Sequence, residues 1–258
     1  MTCVSDIPRW LEHKISFLTR TMNAIAVSQD ERHGPLPALL FVLTMVTGLV
    51  DAVSYLKLGH VFVANMTGNV VFLGFAVADA QDFSIPASLV AIAAFLAGAL
   101  AGGRLGSSLG HHRGRLLAMA SYIKIGLVGA ALGISIAAVD PDGNVARYAL
   151  IVLLALSMGL QNATARRLGV PDLTTTVLTL TLTGLAADST LAGGKNPNPS
   201  RRVLATVTMF LGAAIGAMLI FHVGVSAALA VALALLVVTG IAAYRLSSSS
   251  DAWTVGAQ

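Results

Sequence analysis

The sequence predicts an all-α integral membrane protein: six spanning helices plus two re-entrant or broken helical segments, eight hydrophobic runs in two inverted repeats. Composition is the first reason. Of 258 residues, 56% are hydrophobic and 11% charged, with a mean hydropathy of +0.81, far from the roughly 25% charged usage of soluble domains. A duplication is the second. Gly48-Leu49-Val50-Asp51-Ala52 returns about 111 positions later as Gly159-Leu160-Gln161-Asn162-Ala163. Each copy then reaches a second glycine, Gly59 or Gly169, and a polar-flecked apolar run, Val61-Phe62-Val63-Ala64-Asn65-Met66-Thr67-Gly68-Asn69 or Leu173-Thr174-Thr175-Thr176-Val177-Leu178-Thr179. Duplicated, interrupted hydrophobic segments are the strongest sequence pointer to a binding site at the membrane midplane.

The third reason is charge. The apolar runs are Leu36 to Leu56, Val61 to Ala78, Ile85 to Leu105, Leu116 to Val139, Tyr148 to Ala165, Val170 to Ala187, Val203 to Phe221 and Val225 to Tyr244, each near the length of about 20 residues that crosses hydrocarbon. If all eight cross, fifteen of the sixteen basic residues divide nine to six, with Lys124 set aside inside the fourth run. If the second and sixth runs return to the side they came from, the same residues divide thirteen to two, with only Lys57 and Arg147 outside. Positive charge collects on the cytoplasmic side, so six spans with both termini in the cytoplasm are expected. The two runs demoted on charge are the two that carry the polar motifs, although the charge count made no use of those motifs. Three spans per half turn the second copy over, which gives the inverted repeats.

Along the chain, residues 1–35 form a cytoplasmic tail without the apolar core of a signal peptide. Ile7, Trp10, Leu11, Ile15, Leu18 and Met22 recur there at helical spacing, which suits an amphipathic helix on the membrane surface; a disordered tail is the alternative. Residues 36–245 form one membrane domain, with repeat one at 36–139 and repeat two at 147–245. Residues 246–258 are expected to be a flexible tail. Glycines spaced by four, Gly98 with Gly102 and Gly212 with Gly216, let helices approach closely.

Asp51 leads the candidate site residues, because a carboxylate inside an apolar run is costly and usually faces a partner, a cavity or an ion path. The structural alternative puts it near the span end, paired with Lys57 or capping the next turn. Its partner Asn162 is neutral, so the charge is not duplicated. Asn65, Thr67 and Asn69 surround Gly68, where a break in the helix would free backbone carbonyls for an ion or polar solute; the same groups would also serve as interhelical hydrogen bonds. Gln161 and Asn162 carry amides that each need several partners. Thr175, Thr176 and Thr179 are the pseudo-symmetric candidates, although threonines can return their bonds to the preceding turn. Lys124 is expected to snorkel to the cytoplasmic face; burial with an acid such as Asp51 or Asp188 as its partner is the alternative.

The motif residues Gly48-Leu49-Val50-Asp51-Ala52-Val53-Ser54-Tyr55, Phe62, Asn65-Met66-Thr67-Gly68-Asn69, Gly159-Leu160-Gln161-Asn162-Ala163 and Arg166-Arg167 resemble the YoaK-like family of uncharacterised bacterial multipass membrane proteins, from about Leu36 to Tyr244. The resemblance implies the bacterial cytoplasmic membrane and no known chemistry. One departure stands out: the second copy reads Thr179-Leu180 where Thr-Gly is expected.

The leading function is a secondary transporter or permease for an unknown small solute or ion, bound near the midplane between inverted repeats. The alternative is a non-transporting partner or stability factor in an envelope complex. Paired catalytic aspartates, a serine and histidine dyad and a His-Glu-x-x-His motif are missing from the spans, so no enzyme is expected, nor any cofactor or metal. The bilayer is the expected surrounding, and no nucleic-acid partner is implied. Lone Cys3 cannot form an internal disulfide.

Overall fold

In a computed structural model the described residues are 33–137, 144–176, 178–195, 198–248 and 252–255. The amphipathic helix expected over Ile7 to Met22 lies outside them. Among the described residues, eight α-helices follow one another: α1 Leu36–Lys57, α2 Met66–Val77, α3 Ile85–Leu109, α4 Arg113–Ala137, α5 Asn144–Leu168, α6 Leu178–Ala187, α7 Pro199–His222 and α8 Val225–Leu246. Six of them, all but α2 and α6, are long and apolar enough to cross a membrane. The 12 residues of α2 and the 10 of α6 reach only about 18 Å and 15 Å at 1.5 Å per residue, well short of a hydrocarbon core of about 30 Å.

Local chemistry sets the helix ends. Pro37 and Pro86 stand in the first turns of α1 and α3, where a missing N–H costs nothing. Ser84 caps α3, its Oγ accepting the Ala87 N–H at 3.3 Å. Gly224, at φ 129°, separates α7 from α8. The two short helices start late within their apolar runs, because 61–65 and 169–176 are not helical.

Burial ranks the spans. Inside the protein lie 83% of the α1 span and 61% of the α5 span, against 28% to 39% for the other four. The outer helices turn large apolar side chains outward, among them Leu96, Leu100, Phe210, Phe221 and Val238. On a soluble protein such a surface would be an interaction site; here it suits lipid. The two interior helices are the ones that end in the duplicated motif.

Packing repeats between the halves. α1 lies against α7 as α5 lies against α3, α8 meets α1 as α4 meets α5, and α4 and α8 meet each other. Each pairing exchanges with its counterpart when the halves are swapped. The two close crossings are made by glycine. A methyl group added at Gly48 would lie 2.5 Å from the Met209 carbonyl oxygen, and one at Gly159 would lie 2.0 Å from that of Phe95; both helices therefore touch backbone to backbone.

The C-terminal tail, expected to be free, is anchored at Ala252–Thr254 by a short 3-10 turn. The Trp253 side chain is 4% exposed and sits over Gly34 and Gly114, so the indole finds a backbone surface with no side chains in its way. Burial of an aromatic of this size overrides the polar serines before it.

Candidate functional site

Asp51 lies on α1, 5% exposed. Its Oδ1 accepts the backbone N–H groups of Val63 at 3.2 Å and Ala64 at 3.0 Å, and its Oδ2 accepts the Asn65 side-chain amide. These donors belong to the non-helical stretch leading into α2. Backbone that leaves the helical ladder inside a membrane must find partners within the protein, and the carboxylate supplies them. Asn69 holds the same stretch from the α2 side: its Oδ1 accepts the Phe62 N–H at 2.8 Å, and its Nδ2 donates to the Phe62 carbonyl. Gly68 presses against the Phe62 ring, which a Cβ would meet at 2.6 Å.

The second half builds its break differently. Gln161 on α5 is 1% exposed. Its Nε2 reaches Thr47 Oγ1 at 2.8 Å, Thr175 Oγ1 at 3.1 Å and the Leu43 carbonyl at 3.3 Å, tying α5 to α1 and to the stretch before α6. Its Oε1 accepts the ammonium of Lys124. Asn162 accepts the Thr176 hydroxyl on Oδ1 and donates to the Met158 carbonyl at 3.3 Å. Thr175 takes φ 64°, a conformation in which a β-branched residue is an outlier.

Lys124 overturns its sequence-level reading. It is 1% exposed and near the middle of the 25-residue α4, which starts at Arg113, earlier than the apolar run alone suggests. The ammonium points to Gln161 on the neighbouring helix instead of reaching an interface. Among the described residues no carboxylate lies within ion-pair distance of it; Asp51 is held at the first break, and Asp188 pairs with Arg202. Thr47 links the two levels, being one helical turn from Asp51 on the same face of α1 and bonded to Gln161.

The two breaks are closed on their outer sides by unlike devices. In the first half, Tyr55 stacks on Phe62 at 5.1 Å and Phe72 on Phe83 at 4.9 Å, while His60 bonds the Asp82 carbonyl at 3.2 Å. In the second half, Arg202 of α7 is ion-paired with Asp172 before α6 at 2.9 Å and with Asp188 after it at 2.8 Å. Beside that pair lies a cavity of about 10 Å³ lined by Thr44, Asp172, Thr175, Thr176 and Thr181 among others, at the lower limit for one water.

A family profile described as "Protein of unknown function (DUF1275)" matches residues 39–242. The chain belongs to this family. The UPF0700 transmembrane protein YoaK of Bacillus subtilis (strain 168) is 35% identical over 150 residues, which cover 58% of this chain and 65% of that relative's own length. No solved structure matches the chain. It is thus a multipass membrane protein of an uncharacterised family.

For this DUF1275 member the duplication also gains a register. Asp51 with Asn65 corresponds to Asn162 with Thr176 at an offset of 111, whereas burial within the short helices pairs the two copies at an offset of 112. In the later register Thr67 matches Thr179, both exposed, and Asn69 matches Thr181, both buried. Thr67 and Thr179 face away from the polar centre. Leu180, which replaces the expected glycine, is 73% exposed and so needs no bare backbone. Sequence reasoning missed Thr47 as a partner of Gln161 and Thr44 as a cavity-lining group, because a threonine inside a span bonds its own helix as readily as a neighbour. The aromatic cluster was missed as well, its members lying too far apart in sequence to form a motif.

Proposed function

We infer that the protein is a secondary transporter or channel-like permease for a small solute or ion, with two inverted repeats moving against each other around the polar centre. The observation that carries this reading is Lys124, a cation buried at mid-span whose partner is a neutral amide bonded to the second broken segment. Ionisable groups at that depth are expensive and mark substrate or ion paths. The exchange of packing partners between halves supports a pseudo-two-fold arrangement, and broken helices at a repeat interface are the usual home of transporter sites. We place the protein in the bacterial cytoplasmic membrane with both termini inside, on the thirteen to two division of basic residues.

A non-transporting partner within an envelope complex is the second reading. It is favoured by the first break, where Asp51, Asn65, Asn69 and the backbone satisfy one another. The two readings differ over topology and motion. Reporter fusions after Lys57 and after Asp82 should both report the outside if α2 returns to its own face. Opposite sides would make the first half a four-span unit and remove the inverted symmetry that alternating access needs.

A further inference from the structure

Away from the polar centre, α3 and α4 both pack on α5 but touch each other little. Gly98 and Gly102 hold α3 against the α5 backbone at Leu156 and Leu160, and a groove is left between α3 and α4. It has a volume of about 350 Å³ and is lined by Gly98, Ala101 and Arg104 of α3, Ile123 and Leu127 of α4 and Leu160 of α5 among others. Its walls are apolar apart from Arg104 and Ser108. From Gly98 to Ser108 it follows α3 for about 15 Å at 1.5 Å per residue, half of a hydrocarbon core of about 30 Å. The groove is as long as one leaflet is deep.

One end of the groove is basic. Arg104 is exposed, and no carboxylate among the described residues is paired with it. Arg113 and Arg115 start α4, Arg166 and Arg167 finish α5, and Arg167 lies against Gly106 of α3. None of these three helices contains an Asp or Glu, so no acid on them neutralises that end. The other half does not repeat the arrangement. Gly212 lies on Met45 as Gly98 lies on Leu156, and Met45 and Leu156 stand at the same place before the motif glycines Gly48 and Gly159. In that register Ile215 replaces Ala101 and Met218 replaces Arg104, a larger wall and no charge.

We propose that the groove between α3 and α4 holds one acyl chain of an anionic phospholipid of the cytoplasmic leaflet, with the headgroup phosphate at Arg104. Basic pockets between helices on the cytoplasmic side suit anionic headgroups, and a guanidinium offers a phosphate two parallel hydrogen bonds. Gly98 and Ala101 leave room for the chain. A zwitterionic lipid would fill the same groove and leave the basic end without a net counter-charge. The choice of leaflet rests on the cytoplasmic placement inferred above; the binding itself needs neither that placement nor transport.

Native mass spectrometry of the purified full chain in detergent, supplied with equal amounts of phosphatidylglycerol and phosphatidylcholine of identical chains, reads which lipid stays bound. The wild type should retain one phosphatidylglycerol in preference. Arg104→Gln should lower that preference about fivefold, the worth of one arginine near a membrane surface, while Arg201→Gln, on the same face in the other half, leaves it unchanged. Ala101→Leu fills the groove and keeps the arginines, so retention of both lipids should fall at least fivefold. Should that variant fail to fold, Leu127→Phe makes the same comparison from the opposite wall. Equal retention of the two lipids by the wild type, a preference untouched by Arg104→Gln or lowered alike by Arg201→Gln, or retention that survives a filled groove overturns the proposal. Displacement of the lipid by glycerol 3-phosphate at equal concentration would make the site one for a soluble phosphate and overturn it too. So would a dimer that Ala101→Leu converts to monomer, which would give the groove to a second copy of the chain.

Discussion

Asp51→Ala should destabilise the protein by about 2 to 5 kcal/mol, because it leaves the two backbone donors at Val63 and Ala64 and the Asn65 amide without their acceptor at a cost of about 1 to 3 kcal/mol for each buried group, partly relieved by relaxation. Thermal unfolding in detergent measures it, as a drop of at least several degrees. Asp51→Asn should cost less, since its carbonyl still accepts the backbone pair, but its amide would then face the Asn65 amide, donor against donor. Adding Asn65→Asp turns that side-chain pair around. The double variant should therefore recover most of what Asp51→Asn lost, a rescue that a residue chosen only for solute binding would not show.

Lys124→Met should act in the opposite sense. A buried ammonium hydrogen-bonded to a neutral amide is poorly compensated, and replacing a buried charge with an apolar residue of similar length is often neutral or stabilising. An unchanged or raised unfolding midpoint is expected, by about 1 kcal/mol or a few degrees, together with loss of whatever the protein transports. A sharp drop in stability would instead make Lys124 a structural tie between α4 and α5. Pairing that variant with Gln161→Leu separates the cases: Gln161 also bonds Thr47, Thr175 and the Leu43 carbonyl, so its loss should lower stability even where the loss of Lys124 does not.

The fold was legible because membrane insertion writes itself into composition and loop charge, which need no tertiary knowledge. The six spans and the two short segments follow from apolar runs and from where Arg104, Arg113, Arg166 and Arg202 fall. The site was legible only in part. Asp51, Asn65, Gln161 and Asn162 stand out as polar residues within apolar runs, and all four take part in the polar centre. Lys124 stood out too, but its direction did not: a lysine near a span end and a lysine aimed at Gln161 look alike until α4 is seen to begin at Arg113. Thr67 and Thr179 were equally polar and face outward, because which side of a short helix is buried depends on its phase, and a cluster of polar residues does not by itself fix that phase.

Accessibility of Thr175 from the two sides of the membrane tests the central claim most directly. Thr175 is 4% exposed and lies in the break itself, so in this arrangement of the helices it is reachable from neither face. In a Cys3→Ser background, Thr175→Cys would be exposed to a membrane-impermeant maleimide in intact cells and in inverted vesicles, with Lys57→Cys as the marker for the outside. Alternating access predicts slow labelling of position 175 from both faces, as the two halves open in turn. No labelling from either face, while Lys57→Cys reacts readily from outside, would show a packed centre that never opens and would contradict transport.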